Sequence, residues 1–335
     1  MAARIAINGF GRIGRATFKI IQDLKDVEVV AINDLGDLEN LAYLLRYDTV
    51  YGKYDKEVVV DGTSLIVDGK KTPFYSEKDP MELPWKDLEV DVVLECTGHF
   101  VKDGAAKVHV DAGAKKVVVS APTKGDSDDI KTYLKGVNEN EYKGEEVVSN
   151  ASCTTNCVSP VATVIHSKFK VLKSAMTTIH AYTSSQGLVD GNHKDPRRGR
   201  AAALNMIPTT SGAALATTKT IPELEGLFDG IAIRAPVAVG SISDITFLVE
   251  KKTTVEEVNQ AFKDAKENFL YKGILDTTEE PIVSSDIIGN PHSAIVDLNF
   301  TKVVDGDLVK VLAWYDNEWG YSNRLVEMAL LTSSH

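Results

Sequence analysis

Arg4-Ile5-Ala6-Ile7-Asn8-Gly9-Phe10-Gly11-Arg12-Ile13-Gly14-Arg15 is the stretch that decides the fold. Arg4 to Asn8 reads as a strand, the three glycines form a turn, and Arg15 to Leu24 has helical spacing before a second strand at Val27 to Asn33. That is one βαβ unit carrying Gly-x-Gly-x-x-Gly at its first turn. Gly9 allows the tight turn, Gly11 lets a pyrophosphate approach the backbone, and Gly14 permits close helix packing, while the helix N-terminus attracts phosphate. Asp34 closes the second strand, where its carboxylate would accept from ribose hydroxyls and repel a 2′-phosphate. The pattern therefore predicts a dinucleotide site with a preference for NAD over NADP.

Working outward, a helix is expected at Leu38 to Arg46, followed by short strands at Glu57 to Val60, Ser64 to Val67 and Lys71 to Tyr75 with Asp-Gly turns between them. These read as an antiparallel insert. Parallel-type strands return at Val90 to Glu95 and Lys116 to Ser120 around a helical Gly104 to Ala112, continuing a doubly wound sheet. Beyond about residue 170 the pattern changes to longer β runs at Ala175 to His180, Gly230 to Arg234, Ile242 to Val249, Ala294 to Asp297 and Leu308 to Tyr315. Helices are predicted at Val255 to Asn268 and Asn323 to Leu331. The expected class is α/β: a doubly wound Rossmann-type parallel sheet plus a second α+β catalytic domain with a mainly antiparallel sheet. The stretch from Tyr182 to Arg200 is too long and polar for a routine connection, so it reads as a functional or interface loop.

Ser149-Asn150-Ala151-Ser152-Cys153-Thr154-Thr155-Asn156-Cys157 carries the chemistry. A strand ends at Ser149 and apolar residues at helical spacing run from Val158 to Phe169, which places Cys153 in the first helical turn. Unpaired N–H groups and the positive end of the helix dipole are expected to favour thiolate over thiol there. His180 ends a β run and faces the polar loop, a position from which an imidazole could pair with the thiol and move protons. Arg197, Arg198, Arg200 and Arg234 are basic positions near Thr209, Thr210 and Ser211, a composition suited to phosphate. The segment Trp314 to Asn323 is unusually aromatic, and either a cofactor ring or simple packing of the last helix would account for it.

Composition sets limits on partners. A net charge of −11 opposes broad binding to nucleic acid or anionic membrane, so an anionic ligand must be held by a local cluster. The 335 residues suffice for two domains, and no apolar run has membrane-spanning length. Three cysteines without regular spacing fit a reducing compartment, and no Cys or His set has structural-zinc spacing, so no metal is expected. The chain enters its first strand almost at once, and the expectation is a cytoplasmic protein.

These segments together resemble phosphorylating glyceraldehyde-3-phosphate dehydrogenases over essentially the whole chain. The likeness is carried by Ile7 to Arg15, Ala151-Ser152-Cys153-Thr154-Thr155-Asn156, Thr178-Ile179-His180 and Trp314-Tyr315-Asp316-Asn317-Glu318. The resemblance implies that Cys153 is the nucleophile and His180 its base. It puts Gly9, Gly11, Arg12, Ile13, Gly14, Asp34, Lys78, Ser120 and Asn317 on cofactor positions. Ser152, Thr154, Thr183, Arg198, Ser211, Gly212 and Arg234 fall on positions for substrate and inorganic phosphate. It also implies an NAD-binding domain over residues 1–152 completed by a C-terminal helix at 317–335, a catalytic domain over 153–316 with a long loop at 182–205, and a homotetramer acting on glyceraldehyde 3-phosphate. Three departures stand out. Ser211 replaces the common Thr, Gly191-Asn192 replaces a frequent Leu-Pro and leaves minor NADP use open, and Leu35 lacks the hydroxyl of dual-cofactor relatives. Rival expectations are an erythrose-4-phosphate dehydrogenase and a non-catalytic NAD-binding redox sensor.

Overall fold

A computed structural model describes residues 2–123 and 130–335. The chain divides into two compact units, one of Met1–Tyr133, Asn140–Ala151 and Ser322–His335, the other of Leu134–Glu139 and Ser152–Tyr321.

The first unit is built on a nine-stranded sheet. Its parallel part runs Lys131–Thr132, Val147–Ser149, Lys116–Val119, Val92–Glu95, Ala3–Asn8, Val27–Asn33 and Lys70–Tyr75 in spatial order. Ser64–Val67 and Val58–Asp61 then add antiparallel, as the Asp-Gly turns predict. The central strands are apolar on both faces because helices cover a parallel sheet on both sides: Ile5, Ala6 and Ile7 are wholly buried, as are Val92, Val93 and Leu94. The predicted helix at 104–112 is shorter and tighter than expected. It is a 3-10 turn at Ala105–Lys107 followed by Val108–Asp111.

A buried polar cluster fixes the strand ends of this unit. Trp85 Nε1, which can only donate, lies 3.1 Å from His109 Nδ1, so the ring proton sits on Nε2 and is donated to Glu95 Oε2 at 3.0 Å. Asn8 Nδ2 donates to the same oxygen at 2.6 Å, and Thr97 donates to Oε1 through both its N–H and its hydroxyl. Both oxygens of the buried Glu95 are thus supplied with donors. The cluster holds Asn8 and Thr97 rigidly on either side of the glycine turn.

The second unit is built on an eight-stranded sheet, in order Ile207–Thr210, Phe228–Ala235, Val171–Ala181, Ser241–Val249, Leu308–Tyr315, Ala294–Asp297 and Leu275–Thr278, with Lys302–Val304 paired to Leu308–Tyr315. It is mainly antiparallel. The exceptions are Val171–Ala181 beside Phe228–Ala235 and Leu275–Thr278 beside Ala294–Asp297. Helix Cys153–Phe169 lies against this sheet and buries Val158, Val161, Ile165 and Phe169 in one core with Phe247, Val309, Val311 and Ala313. Each large apolar side chain buried there contributes about 1.5–3 kcal/mol, so the helix that begins with Cys153 is a rigid support. The last helix starts earlier than the spacing suggests, at Trp319, and ends at Ser333. Between Ala181 and Ile207 the only regular element is a 3-10 turn at Ala202–Leu204. The long polar stretch expected to be a loop is one, tied internally by Arg200 to Asp190 at 2.8 Å and by Gly191 N–H to Gly199 O at 2.8 Å.

Candidate active site

At the glycine turn the backbone does what the motif requires. Gly9 has φ +98°, a conformation that L side chains rarely adopt, and a Cβ there would also lie 2.8 Å from the backbone of Cys96 and Thr97. A Cβ on Gly14 would stand 2.1 Å from Gly9 O, whereas a Cβ on Gly11 would meet nothing within 4 Å. The first glycine makes the turn, the third packs the helix onto it, and the middle one leaves space for a ligand. Gly11 is also the N-cap of helix Arg12–Gln22 and offers no capping side chain. This contrast predicts a separation of effects. Gly14→Ala should destabilise the fold by about 1–3 kcal/mol by overpacking and weaken NAD binding with it. Gly11→Ala should weaken NAD binding while lowering the urea midpoint far less than Gly14→Ala, by only the modest preference of an N-cap for Gly over Ala. Urea titration and NAD calorimetry on both variants check this, and a matched loss of stability in the two would contradict it.

Asp34 accepts from the N–H of Phe10 at 2.6 Å through one oxygen and from the N–H of Gly36 at 2.8 Å through the other. A carboxylate oxygen has two acceptor sites, so each retains one for a ribose hydroxyl. Arg12 opens the helix and is paired with Asp48 at 2.8 Å, its guanidinium over the Tyr51 ring. Ile13 follows it, half-buried; Lys78 is exposed; Ser120 follows strand Lys116–Val119, its N–H donating to Glu95 O. Gly9, Gly11, Arg12, Ile13, Gly14 and Asp34 are therefore gathered at one end of the first two strands. These residues fit a dinucleotide through the open side at Gly11, the free acceptor sites of Asp34 and the close helix packing at Gly14.

In the second unit Ser152 caps helix Cys153–Phe169, its hydroxyl accepting the Thr155 N–H at 3.1 Å. Cys153 is the first helical residue, and its N–H has no intrahelical acceptor. The preceding Ala151 has φ +52°, a left-handed conformation that costs a residue with a Cβ about 1–3 kcal/mol. Cys153 Sγ lies 3.4 Å from His180 Nε2. Cys153 is half-buried as a residue and His180 is buried.

Arg234 joins this pair by register. Val171–Ala181 and Phe228–Ala235 run parallel with His180 opposite Arg234, so both side chains leave the same face of the sheet. Arg234 Nη1 is 2.7 Å from His180 Nδ1 and donates to Ala181 O at 3.0 Å. Burial, then the charges of Arg234 and Arg198, lower the His180 pKa to about 3, so the ring is neutral at physiological pH. The thiol departs from expectation. Burial pushes Cys153 above the usual thiol range, and the Arg234 charge and hydrogen bonds from Thr154 offset that only in part. Helix position alone therefore does not make it a thiolate. The low dielectric that strengthens its electrostatic partners also penalises its charge.

Tyr315, part of the aromatic segment near the end of the chain but not singled out there as a site residue, packs against the pair. Its hydroxyl bonds Thr154 Oγ1 and Thr178 Oγ1, each at 2.8 Å, and its ring packs edge-on to His180 at 6.0 Å. Trp314 donates to Asp297 at 3.1 Å. The aromatic segment near the end of the chain thus serves packing at these two residues. Asn317 is buried, its amide oxygen accepting from Gly240 N–H at 3.1 Å and Ser241 Oγ at 3.0 Å.

The expected phosphate residues are less closely gathered. Arg198 donates to Thr209 Oγ1 at 2.9 Å and lies 3.6 Å from Asp195, while Arg200 is taken by Asp190. Thr183 bonds Ser185, and Ser211 Oγ accepts the Ala213 N–H at 3.2 Å beside Gly212, the N-cap of helix Ala213–Thr220.

A sheet end that fits a dinucleotide in one unit and a thiol–imidazole–guanidinium set in the other are parts that suit a nicotinamide-dependent dehydrogenase. Comparison with known proteins specifies it. Residues 3–103 match the NAD binding domain of glyceraldehyde 3-phosphate dehydrogenase, and residues 152–317 match its C-terminal domain. The chain is 50% identical over 337 residues to glyceraldehyde-3-phosphate dehydrogenase 2 of Streptomyces avermitilis, covering 100% of this chain and 99% of the relative. It is 49% identical over 336 residues to the Geobacillus stearothermophilus enzyme, with the same coverage, and 50% identical over 339 residues to that of Mycobacterium tuberculosis, covering 99% and 98%. The chain belongs to the glyceraldehyde-3-phosphate dehydrogenase family.

Proposed function

We propose that this protein oxidises D-glyceraldehyde 3-phosphate to 1,3-bisphosphoglycerate with NAD and inorganic phosphate, through a covalent thioester on Cys153. The observation that carries this is the 3.4 Å contact between Cys153 Sγ and His180 Nε2 in a chain of this family. The Cys153 thiol passes its proton to Nε2 of the neutral His180 ring as the sulfur attacks the aldehyde carbon; a C–S bond forms, and the carbonyl electron pair moves to oxygen. Cys153 N–H and the imidazole hold that oxyanion. His180 returns the thiol's proton to that oxygen, giving the hydroxyl, and takes it back as the thioester carbonyl forms. NAD, when bound, supplies the acceptor for the hydride. Phosphate then attacks the thioester, the C–S bond breaks, and Cys153 is regenerated.

Two anion positions are needed, one for the phosphate of the substrate and one for the attacking phosphate. Arg198 and Arg234 supply charge to both, with Ser152, Thr154, Thr183, Ser211 and Gly212 completing them. Arg198 is favoured over Arg197 and Arg200 because its charge is felt at His180. Residues 1–152 with the C-terminal segment 317–335, which contains the last helix, form the NAD-binding half in this reading, where Lys78, Ser120 and Asn317 also contact the cofactor. Residues 153–316 form the catalytic half. The protein works in the cytoplasm as a homotetramer, and the exposed Leu188, Val189, Leu204 and Met206 support association through the long loop and its C-terminal end. No helix among the described residues is long and apolar enough to cross a membrane.

The decisive assay follows NADH with glyceraldehyde 3-phosphate and with erythrose 4-phosphate, each with and without inorganic phosphate. Sustained turnover should require phosphate and favour the triose. Turnover that ignores phosphate, or that favours the tetrose, would overturn the reading. Cofactor choice gives a second check. Asp34→Asn keeps one acceptor for the Phe10 amide but removes the charge, so the NAD to NADP ratio in kcat/KM should fall about 10- to 100-fold, the worth of a charged hydrogen bond. An unchanged ratio would show that Asp34 does not set it.

A further inference from the structure

The sheet of the first unit reverses its strand order between Ala3–Asn8 and Val92–Glu95, which lie side by side while their successors lead outward in opposite directions. On such a sheet a dinucleotide lies across the crevice at the reversal, outside the carboxyl ends of the strands. Asp34, suited to the adenosine ribose, follows Val27–Asn33 on one side of Ala3–Asn8. The nicotinamide half therefore belongs on the other side, toward Val92–Glu95 and Lys116–Val119. Asn8 and Glu95 are the last residues of the two strands at the reversal, and they are partners in register.

The side chains of Glu95 and His109 are wholly buried, and every polar contact of Glu95 is with a donor. Asn8 Nδ2 donates to Oε2 at 2.6 Å, and its amide is oriented by Asn33 Nδ2, which donates to Asn8 Oδ1 at 2.7 Å. His109 Nε2 donates to the same carboxyl oxygen because Trp85 occupies Nδ1. The 3.3 Å between Asn8 Nδ2 and His109 Nε2 is the spacing of two donors that share one oxygen. The Thr97 hydroxyl, which accepts the His99 N–H, has no acceptor besides Glu95 Oε1 among the described residues. A proton on Glu95 would face a donor at each of these contacts, so the group is a carboxylate. His109 carries a single ring proton and no charge, and no lysine or arginine pairs with Glu95 among the described residues.

We propose that the buried Glu95 carboxylate determines specificity for the oxidation state of the cofactor, favouring NAD over NADH. The oxidised nicotinamide ring carries a positive charge that a hydride removes, so a fixed negative charge at the strand end on that side stabilises the oxidised form alone. The neutral donors hold this charge in place without cancelling it, and burial keeps its field from being screened by salt. A unit charge acting over roughly 10 Å at an effective dielectric of about 20 shifts an equilibrium by on the order of tenfold. The consequence is easier release of NADH and its replacement by NAD after each turnover. The inference rests on the reading of the glycine turn and Asp34 as an NAD site, and adds what sets the preference between the two forms of that ligand.

The test is calorimetry of NAD and of NADH on the full-length protein, as wild type and as three variants. Glu95→Gln keeps the length of the side chain and removes the charge, and the ratio of the NADH to the NAD Kd should fall by on the order of tenfold. His109→Lys leaves Glu95 in place and sets a cation against it, so the ratio should fall there also. Glu95→Asp keeps the charge and gives up hydrogen bonds, so both affinities should drop while the ratio stays near wild type. Where a variant is less stable, the thermal shifts produced by saturating NAD and NADH report the same ratio. A purely structural role for Glu95 would weaken both ligands by one factor. An unchanged ratio in either Glu95→Gln or His109→Lys therefore overturns the proposal, as does an equal fall in Glu95→Asp. Wild-type protein that binds neither form would instead sink the NAD site on which the inference rests.

Discussion

Cys153→Ala should lower NADH formation from glyceraldehyde 3-phosphate by on the order of 10⁴-fold or more, because no other thiol can take over covalent catalysis. Cys157, one helical turn on, is wholly buried with its sulfur 3.8 Å from Ala313 O, and burial raises its thiol far out of the working range. Cys96 belongs to the other unit and is pushed up to about 12 by burial and the Glu95 charge. The substitution removes one sulfur from a half-buried position and should leave the fold and NAD affinity intact. Matching urea midpoints and NAD titrations would therefore locate the loss in the chemistry. A variant with turnover within about tenfold of wild type would remove Cys153 from the mechanism.

His180→Asn should cost about 10²- to 10⁴-fold in kcat, the usual range for a positioned acid–base group. The wild-type ring is neutral and buried, so a neutral amide of smaller size replaces it without burying a charge. Asn can donate toward the sulfur but cannot take up a proton. The loss should accordingly fall on kcat far more than on KM, the pattern of an interaction made in the transition state. Reaction of Cys153 with iodoacetamide at neutral pH should slow much less than turnover. A drop below about tenfold, or one confined to KM, would assign His180 a structural role instead.

Much of the fold is legible in the sequence because glycine spacing and apolar runs are local signals. Gly9, Gly11 and Gly14 after a short strand-forming run specify strand, turn and helix with little dependence on the rest of the chain. Ala294–Asp297 and Leu308–Tyr315 likewise appear at their expected limits, each a run of β-forming residues that packs where it stands. Strand Ile207–Thr210 and helix Ala213–Thr220 are not anticipated. Pro208 argues against a strand by its lost N–H, and Ala-Ala-Leu-Ala-Thr-Thr-Lys-Thr has no strong apolar stripe, so packing overrides weak local preference at both.

The candidate site divides in the same way. Cys153 at a helix start and His180 at a strand end are readable singly, yet their contact depends on how helix Cys153–Phe169 lies on the sheet. Arg234 is readable as a basic position, but facing His180 follows from parallel register between two strands far apart in the chain, which no local pattern encodes. Tyr315 is hidden for a related reason, since a hydroxyl bridging Thr154 and Thr178 has no spacing of its own. The thiol shift runs against expectation because burial, unlike the helix dipole, is a tertiary quantity.

The central claim is a covalent acyl group on one sulfur, and the most direct measurement is mass spectrometry of enzyme quenched with acid after mixing with NAD and glyceraldehyde 3-phosphate in the absence of inorganic phosphate. The account predicts a single phosphoglyceroyl group on the peptide containing Cys153, formed together with one NADH per site and discharged when phosphate is added. NADH release with Cys153 unmodified, or an acyl group on a different residue, would contradict it.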